Sequence, residues 1–274
     1  MDTDLPSVTT PDLLSSLGSP RAPTIVDVRR AKAFDDDARL IPGALRRLPD
    51  AVDVWAESLP RDRLVIAYCV HGHEVSQGVT RRLRERGFDA RFLAGGVTGW
   101  KETGAPTMIK RPDFAVPGEG PSRWVTRERP RIDRIACPWL IRRFIDPTAT
   151  FLYVPTAKVF DVAKSENAVA YDIPGAPIEH DGPRCSFDAM LSACDLHDAG
   201  LDQLAVIVRG ADTDRHDLTP QSAGLVAMSI GLSRLYADDH VLLEHGMLLY
   251  DALYAWIRAG QGERHSWQPE TMRP

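Results

Sequence analysis

Cys69 stands in the stretch Tyr68-Cys69-Val70-His71-Gly72-His73-Glu74-Val75-Ser76, after the apolar run Leu64-Val65-Ile66-Ala67 and before a helix-like segment from Gln77 to Arg86. A thiol at the end of a buried strand, ahead of a Gly-containing loop that opens a helix, is placed to react as a thiolate. Unpaired N–H groups at a helix N-terminus stabilise an anion, and the thiolate is the nucleophilic form of cysteine. A buried structural cysteine in a strand–helix turn would have the same local sequence. Further on, Arg127, Arg129, Arg131, Arg134, Arg142 and Arg143 fall within seventeen residues. Guanidinium forks suit tetrahedral oxyanions, and Arg134, Arg142 and Arg143 are the candidate ligands; a solvated basic helix face is the competing reading. His180 to Asp188 gathers imidazole, thiol and carboxylate within nine residues, a spacing a metal could use. A metal site would be assembled from His180, Asp188, Asp212, His240 and Glu244. Against it stand a turn followed by an N-capped helix with Ser186 as its cap, an acidic loop around Asp212, and a solvent-facing stripe of His240, Glu244 and Asp251.

These residues need a scaffold. Thr24-Ile25-Val26-Asp27-Val28, Leu64–Tyr68 and Ala90-Arg91-Phe92-Leu93 are short apolar runs of the kind that form buried parallel strands. Helical segments separate them, so the first hundred residues read as a doubly wound α/β sheet with ligands at the carboxyl ends of its strands. Asp27, inside an apolar run, requires a charge or hydrogen-bonding partner. Thr10-Pro11 is expected to cap and open a first helix. Between Ala105 and Ser122 the chain holds four prolines and two glycines with little periodicity, as a linker would. Beyond it, strands are expected at Trp124–Arg127, Thr150–Val154 and Ala168–Tyr171, with helices elsewhere and a break near Ala237-Asp238-Asp239. That describes an α-rich α+β domain. The expected division is 1–108, a linker at 109–122, a second domain at 123–260 and a tail at 261–274.

The chain has 274 residues, 43% of them hydrophobic and 26% charged, the composition of a globular protein with room for two cores. A net charge of −5 argues against nucleic-acid binding through bulk charge. No apolar run suggests a membrane span, and Met1-Asp2-Thr3-Asp4 lacks the basic and apolar regions of a signal peptide. Four cysteines without framework spacing suit a reducing compartment, so a cytoplasmic location is expected. No oligomeric state is read from the chain.

Four motifs in order, Ile25-Val26-Asp27-Val28-Arg29, Ile41-Pro42-Gly43-Ala44, Cys69–Glu74 and Leu93-Ala94-Gly95-Gly96 with Gly99-Trp100, resemble those of rhodanese (sulfurtransferase) domains. The resemblance implies that Cys69 carries sulfane sulfur as a persulfide cradled by Val70, His71, Gly72, His73 and Glu74. The partners would be a small-molecule sulfur donor and a thiol acceptor, and no cofactor is required. Where many rhodaneses have Arg or Lys five residues after the cysteine, this chain has Glu74, which disfavours dianionic donors and points to a low-molecular-weight persulfide. His71 and His73 are the expected sources of positive charge. Val75 stands where related phosphatases need their arginine, which removes the phosphate clamp. The second half, in Arg134–Asp146, His180–Asp188, Ile207–Asp212 and Asp238–Gly246, resembles the chromate-resistance domain family. It is expected to bind an oxyanion, a divalent metal ion or a sulfur acceptor. Two alternatives stay open: a thiol-based oxidoreductase pairing Cys69 with a second cysteine, and a non-catalytic sensor module.

Overall fold

The protein is described by a computed structural model covering residues 5–263. The acidic Met1–Asp4 segment and positions 264–274 of the expected tail lie outside the described residues. The N-terminal half runs β1 (Ser7–Val8), α1 (Thr10–Ser16), β2 (Thr24–Asp27), α2 (Ala31–Asp35), β3 (Arg39–Leu40), β4 (Leu45–Arg46), α3 (Val52–Trp55), β5 (Val65–Tyr68), α4 (Glu74–Glu85), β6 (Ala90–Leu93), α5 (Gly96–Glu102) and β7 (Met108–Ile109). The C-terminal half continues with β8 (Arg123–Arg127), α6 (Asp133–Leu140), β9 (Thr150–Val154), α7 (Val159–Ser165), β10 (Val169–Ala170), α8 (Ser186–Ala193), α9 (Ala199–Asp212), α10 (Pro220–Leu235) and α11 (Asp239–Ala255).

The first sheet has the order β1-β6-β5-β2-β4, and every pairing in it is parallel. All four residues of the central strand β5 are buried. Side chains alternate across it, as a pleated strand requires: Val65 and Ala67 pack with Val79 and Leu83 of α4 on one face, and Ile66 and Tyr68 face the other. That second face belongs to the same hydrophobic cluster as Trp124, Trp139, Phe144 and Tyr254 of the C-terminal half. The buried Asp27 finds its partners within the sheet. It accepts from Arg29 Nε at 3.0 Å and Nη2 at 2.6 Å, and from Tyr68 Oη at 2.8 Å.

The first helix is capped by Thr9 rather than Thr10, in a reciprocal box with Asp12, and Pro11 lies in its first turn. The Pro- and Gly-rich stretch after residue 105 is packed rather than free. Met108, Phe114 and Val116 are buried, and β7 pairs antiparallel with β3. Gly18 shows how closely the halves meet: with φ +76°, a Cβ there would lie 2.3 Å from Phe144 Cζ. Arg258 donates to Leu17 O at 3.0 Å, and Arg39 pairs with Asp195 at 2.6 Å.

The second sheet has the order β10-β8-β9 and is parallel throughout. The last helices are separated where expected, with Asp238 accepting from the His240 and Val241 amides at 2.8 and 3.0 Å. No described helix is long and apolar enough to cross a membrane.

Candidate functional site

Cys69 follows the last residue of β5, and its loop closes against the turn after β6. Val97 N donates to Cys69 O at 2.9 Å, and Thr98 N to Val70 O at 3.0 Å. Glycines make that approach feasible. Gly72 has φ +75°, and a Cβ there would sit 2.5 Å from Leu93 O; a Cβ on Gly96 would sit 2.5 Å from Cys69 O. Gln77 Nε2 donates to Gly72 O at 3.0 Å, tying the loop to α4. The loop curls over the first turn of this twelve-residue helix, whose leading amides have no intrahelical acceptor. Cys69 Sγ lies 3.2 Å from Ser76 Oγ. Cys69 lines a cleft of about 190 Å³ together with Arg29, Arg30, Val70, His71, His73, Glu74 and Val75 among others.

Besides the two histidines, the cleft holds two arginines and a glutamate. The Arg29 guanidinium is buried and saturated by Asp27 and by Asp37, 2.8 Å away. Arg30 is exposed on the rim, and its side chain has no carboxylate partner among the described residues. Strand pairing explains its presence. Asp27 is in register with Tyr68 on neighbouring parallel strands, so the residues after each emerge side by side. Glu74 is also exposed, as the first residue of α4, where a carboxylate suits the helix dipole. The fixed charges of Arg30 and Glu74 oppose each other.

A second polar cluster lies at the carboxyl ends of β8 and β10. Asp133 opens α6, Asp172 follows β10, Asp212 ends α9, and His180 projects from the loop before α8. His180 Nε2 lies 3.0 Å from Asp212 Oδ2, 3.5 Å from Asp172 Oδ1 and 3.7 Å from Asp133 Oδ2. Asp133 is fully buried, and its Oδ2 accepts from the Ser186 and Phe187 amides. Burial, then Asp212 and Asp172, push its carboxyl well above the usual range. Burial and Asp172 likewise raise Asp212. Asp172 is buried too, but contacts to His180 and Arg134, Ser186 and Arg127 hold it below that range. The His180 imidazole, against these carboxylates, is raised to about 9. Ile132, just before Asp133, has φ +39°, a strained conformation for a β-branched residue. Ser229 Oγ on its amide and Tyr250 Oη on its carbonyl hold it there.

Residues 9–103 match the rhodanese-like domain family, and residues 124–257 match the family described as ChrB, C-terminal domain. The protein is a rhodanese-like domain joined to a ChrB C-terminal domain. Over 133 residues it is 36% identical to Protein ChrB of Cupriavidus metallidurans, covering 48% of this chain and 40% of that relative. The chain thus spans less than half the length of this curated relative. Among solved structures, a rhodanese-related protein from Thermoplasma volcanium is 24% identical, covering 37% of this chain and 96% of that one, with a TM-score of 0.33. A rhodanese-like domain protein from Staphylococcus aureus is 27% identical, covering 35% and 91%, with a TM-score of 0.32.

In the ChrB C-terminal domain, the residues singled out for a metal do not all converge. His180 and Asp212 meet, with Asp133 as the third member of the group. Asp188 is instead clamped by Arg209, with Nε to Oδ2 at 2.9 Å, and accepts the Cys185 amide as part of the α8 cap. His240 packs edge-on against Tyr153, and Glu244 pairs with Arg142 at 2.7 Å. The arginines are similarly occupied. Arg134 lies 3.3 Å from Asp172, and Arg143 is 2.8 Å from Asp251. An oxyanion at Arg134, Arg142 or Arg143 would compete with carboxylates already in place. Asp133 and Asp172 went unseen in the sequence, although each directly follows a predicted strand or its loop. Arg30 likewise went unseen, although it sits in the Arg29-Arg30 pair at a strand end. Burial pushes the Cys137 and Cys185 thiols well up and the Cys194 thiol to about 12.

Proposed function

We propose that the rhodanese-like domain is a sulfurtransferase in which Cys69 carries sulfane sulfur as a persulfide. The observation that carries this reading is that Cys69 lines a cleft formed with its own loop and the first residues of α4. The Cys69 thiolate attacks the outer sulfur of a donor persulfide. A Cys69 S–S bond forms, the donor S–S bond breaks, and the donor leaves as a thiolate. An acceptor thiolate or cyanide then takes the outer sulfur, and Cys69 departs as thiolate with no net redox change. The Ser76 hydroxyl, 3.2 Å from Sγ, can donate to either anionic state, and amides of the loop and helix start provide further donors.

The balance of Arg30 against Glu74 favours a donor of low charge, such as a low-molecular-weight persulfide, over a dianion such as thiosulfate. A dithiol oxidoreductase is the weaker reading, because the three remaining cysteines have no exposed surface and raised pKa values, and thiols held so in apolar surroundings react poorly. The test is sulfur transfer from a glutathione persulfide donor to cyanide, with Cys69→Ser alongside. Transfer by the wild type, lost in the variant, is expected, together with a persulfide on the peptide containing Cys69. Transfer that survives the substitution overturns the mechanism.

A further inference from the structure

We propose that Asp133, His180 and Asp212 form a binding site for one first-row divalent cation in the ChrB C-terminal domain, independent of the Cys69 chemistry. These are the residues whose nitrogen and carboxylate oxygens lie within 4.8 Å of one another among the described residues. Proximity of acidic groups alone would carry nothing, since such groups often cluster without an ion. The deciding observation is Asp133 Oδ1. This oxygen is buried on a residue with no exposed surface, belongs to the carboxyl whose other oxygen lies 3.7 Å from His180 Nε2, and has no hydrogen-bond partner among the described residues. A buried carboxylate oxygen left without a donor costs several kcal/mol in a low-dielectric site, and a cation would satisfy it.

The spacing fits. Ligands bonded to a metal at ~2.1 Å stand roughly 3.0–3.4 Å apart in octahedral or tetrahedral arrangements. His180 Nε2 is 3.0 Å from Asp212 Oδ2 and 3.7 Å from Asp133 Oδ2, so small movements bring all three onto one ion. A proton on Nε2 can bridge to only one of the surrounding carboxylates, whereas a metal satisfies all of them.

Charge points the same way. Asp172 already faces Arg127 at 3.2 Å and Arg134 at 3.3 Å, and its Oδ1 accepts from Ser186. Asp133 and Asp212 have no guanidinium or ammonium of their own among the described residues; they meet His180, the amides at the start of α8 and, at Asp212 Oδ1, the Asp133 amide. Two carboxylates with one imidazole form a mixed nitrogen–oxygen set. That set suits zinc, iron or manganese better than calcium or magnesium, which take oxygen ligands. Asp172 would serve as the supporting carboxylate that orients the site. Entry is open, because His180 is 43% exposed at its side chain.

The experiment uses the full chain carrying Cys69→Ser, so that the reactive thiol cannot bind the probe. After chelator treatment it is dialysed against zinc, and in parallel against manganese with electron paramagnetic resonance as the readout. Uptake of about one equivalent is expected, with affinity at least ~10-fold weaker in His180→Gln and in Asp212→Asn. His180 lies at the surface, so its variant is the one expected to fold unchanged, checked by circular dichroism. His240→Gln with Glu244→Gln should bind like the parent. No uptake by the parent, or parental affinity in both folded ligand variants, overturns the site.

Discussion

Replacing Gly72 with alanine should damage the Cys69 loop far more than one added methyl suggests. Gly72 holds φ +75°, and its new Cβ would lie 2.5 Å from Leu93 O and 2.9 Å from Gly95 N, both backbone atoms that cannot rotate away. The left-handed conformation costs a non-glycine residue roughly 1–2 kcal/mol. The overlap adds about 1–3 kcal/mol of overpacking, for a total of roughly 2–5 kcal/mol. Ordinary contact begins at 3.4 Å, so the loop must shift by nearly an ångström. A displacement of that size at a reacting group can cost ~100-fold in rate. Gly87, at the other end of α4, is the internal control: it has φ +84° but nothing within 4 Å of its Cβ position. Gly87→Ala should therefore cost only about 1–2 kcal/mol and leave transfer unchanged. Urea denaturation and persulfide–cyanide transfer, run on both variants, separate strain from overlap. Equal stability of the two variants, with wild-type transfer by Gly72→Ala, would refute the packing argument.

Two further outcomes follow from buried groups. Asp27→Asn removes the charge that the buried Arg29 guanidinium meets at 2.6 Å; breaking such a pair costs about 3–5 kcal/mol, lessened here by Asp37. Denaturant midpoints would show it, and a loss under ~1 kcal/mol would mean the pair is not structural. In native protein near neutral pH, a thiol reagent should modify Cys69, which lines the cleft, quickly and the other three only on unfolding, because those three have no exposed surface and raised pKa values. Cys69→Ser should abolish the fast phase; a fast phase that persists would assign the reactive thiol elsewhere.

Much of the N-terminal half was legible because its signals are local. β-branched runs of four or five residues marked the strands, and Asp27 within one of them announced a buried charge pair. The Gly-containing loop after Leu64–Tyr68 marked Cys69 as the candidate thiol. Boundaries moved by only a few residues, as at Thr9, where the reciprocal bond with Asp12 outweighed the Thr-Pro signal. The segment after residue 105 misled because proline and glycine content reports backbone irregularity, not exposure: Phe114 and Val116 are buried in the main hydrophobic core. In the C-terminal half, the imidazole and one carboxylate of the cluster were visible as residue types. Asp188, His240 and Glu244 were equally eligible by type, and each is held by a different neighbour.

Cys69 and its loop were determined by sequence alone, since a strand, a tight turn and a helix start are consecutive and need no distant partner to take shape. The tertiary structure decided what surrounds them. Parallel pairing of β2 with β5 brings Arg30 beside Cys69, across more than thirty residues of chain. The convergence of Asp133, Asp172, His180 and Asp212 was decided in the same way. These residues are separated by up to 79 positions, and only the packing of α6, α8 and α9 around the second parallel sheet closes those loops into one site.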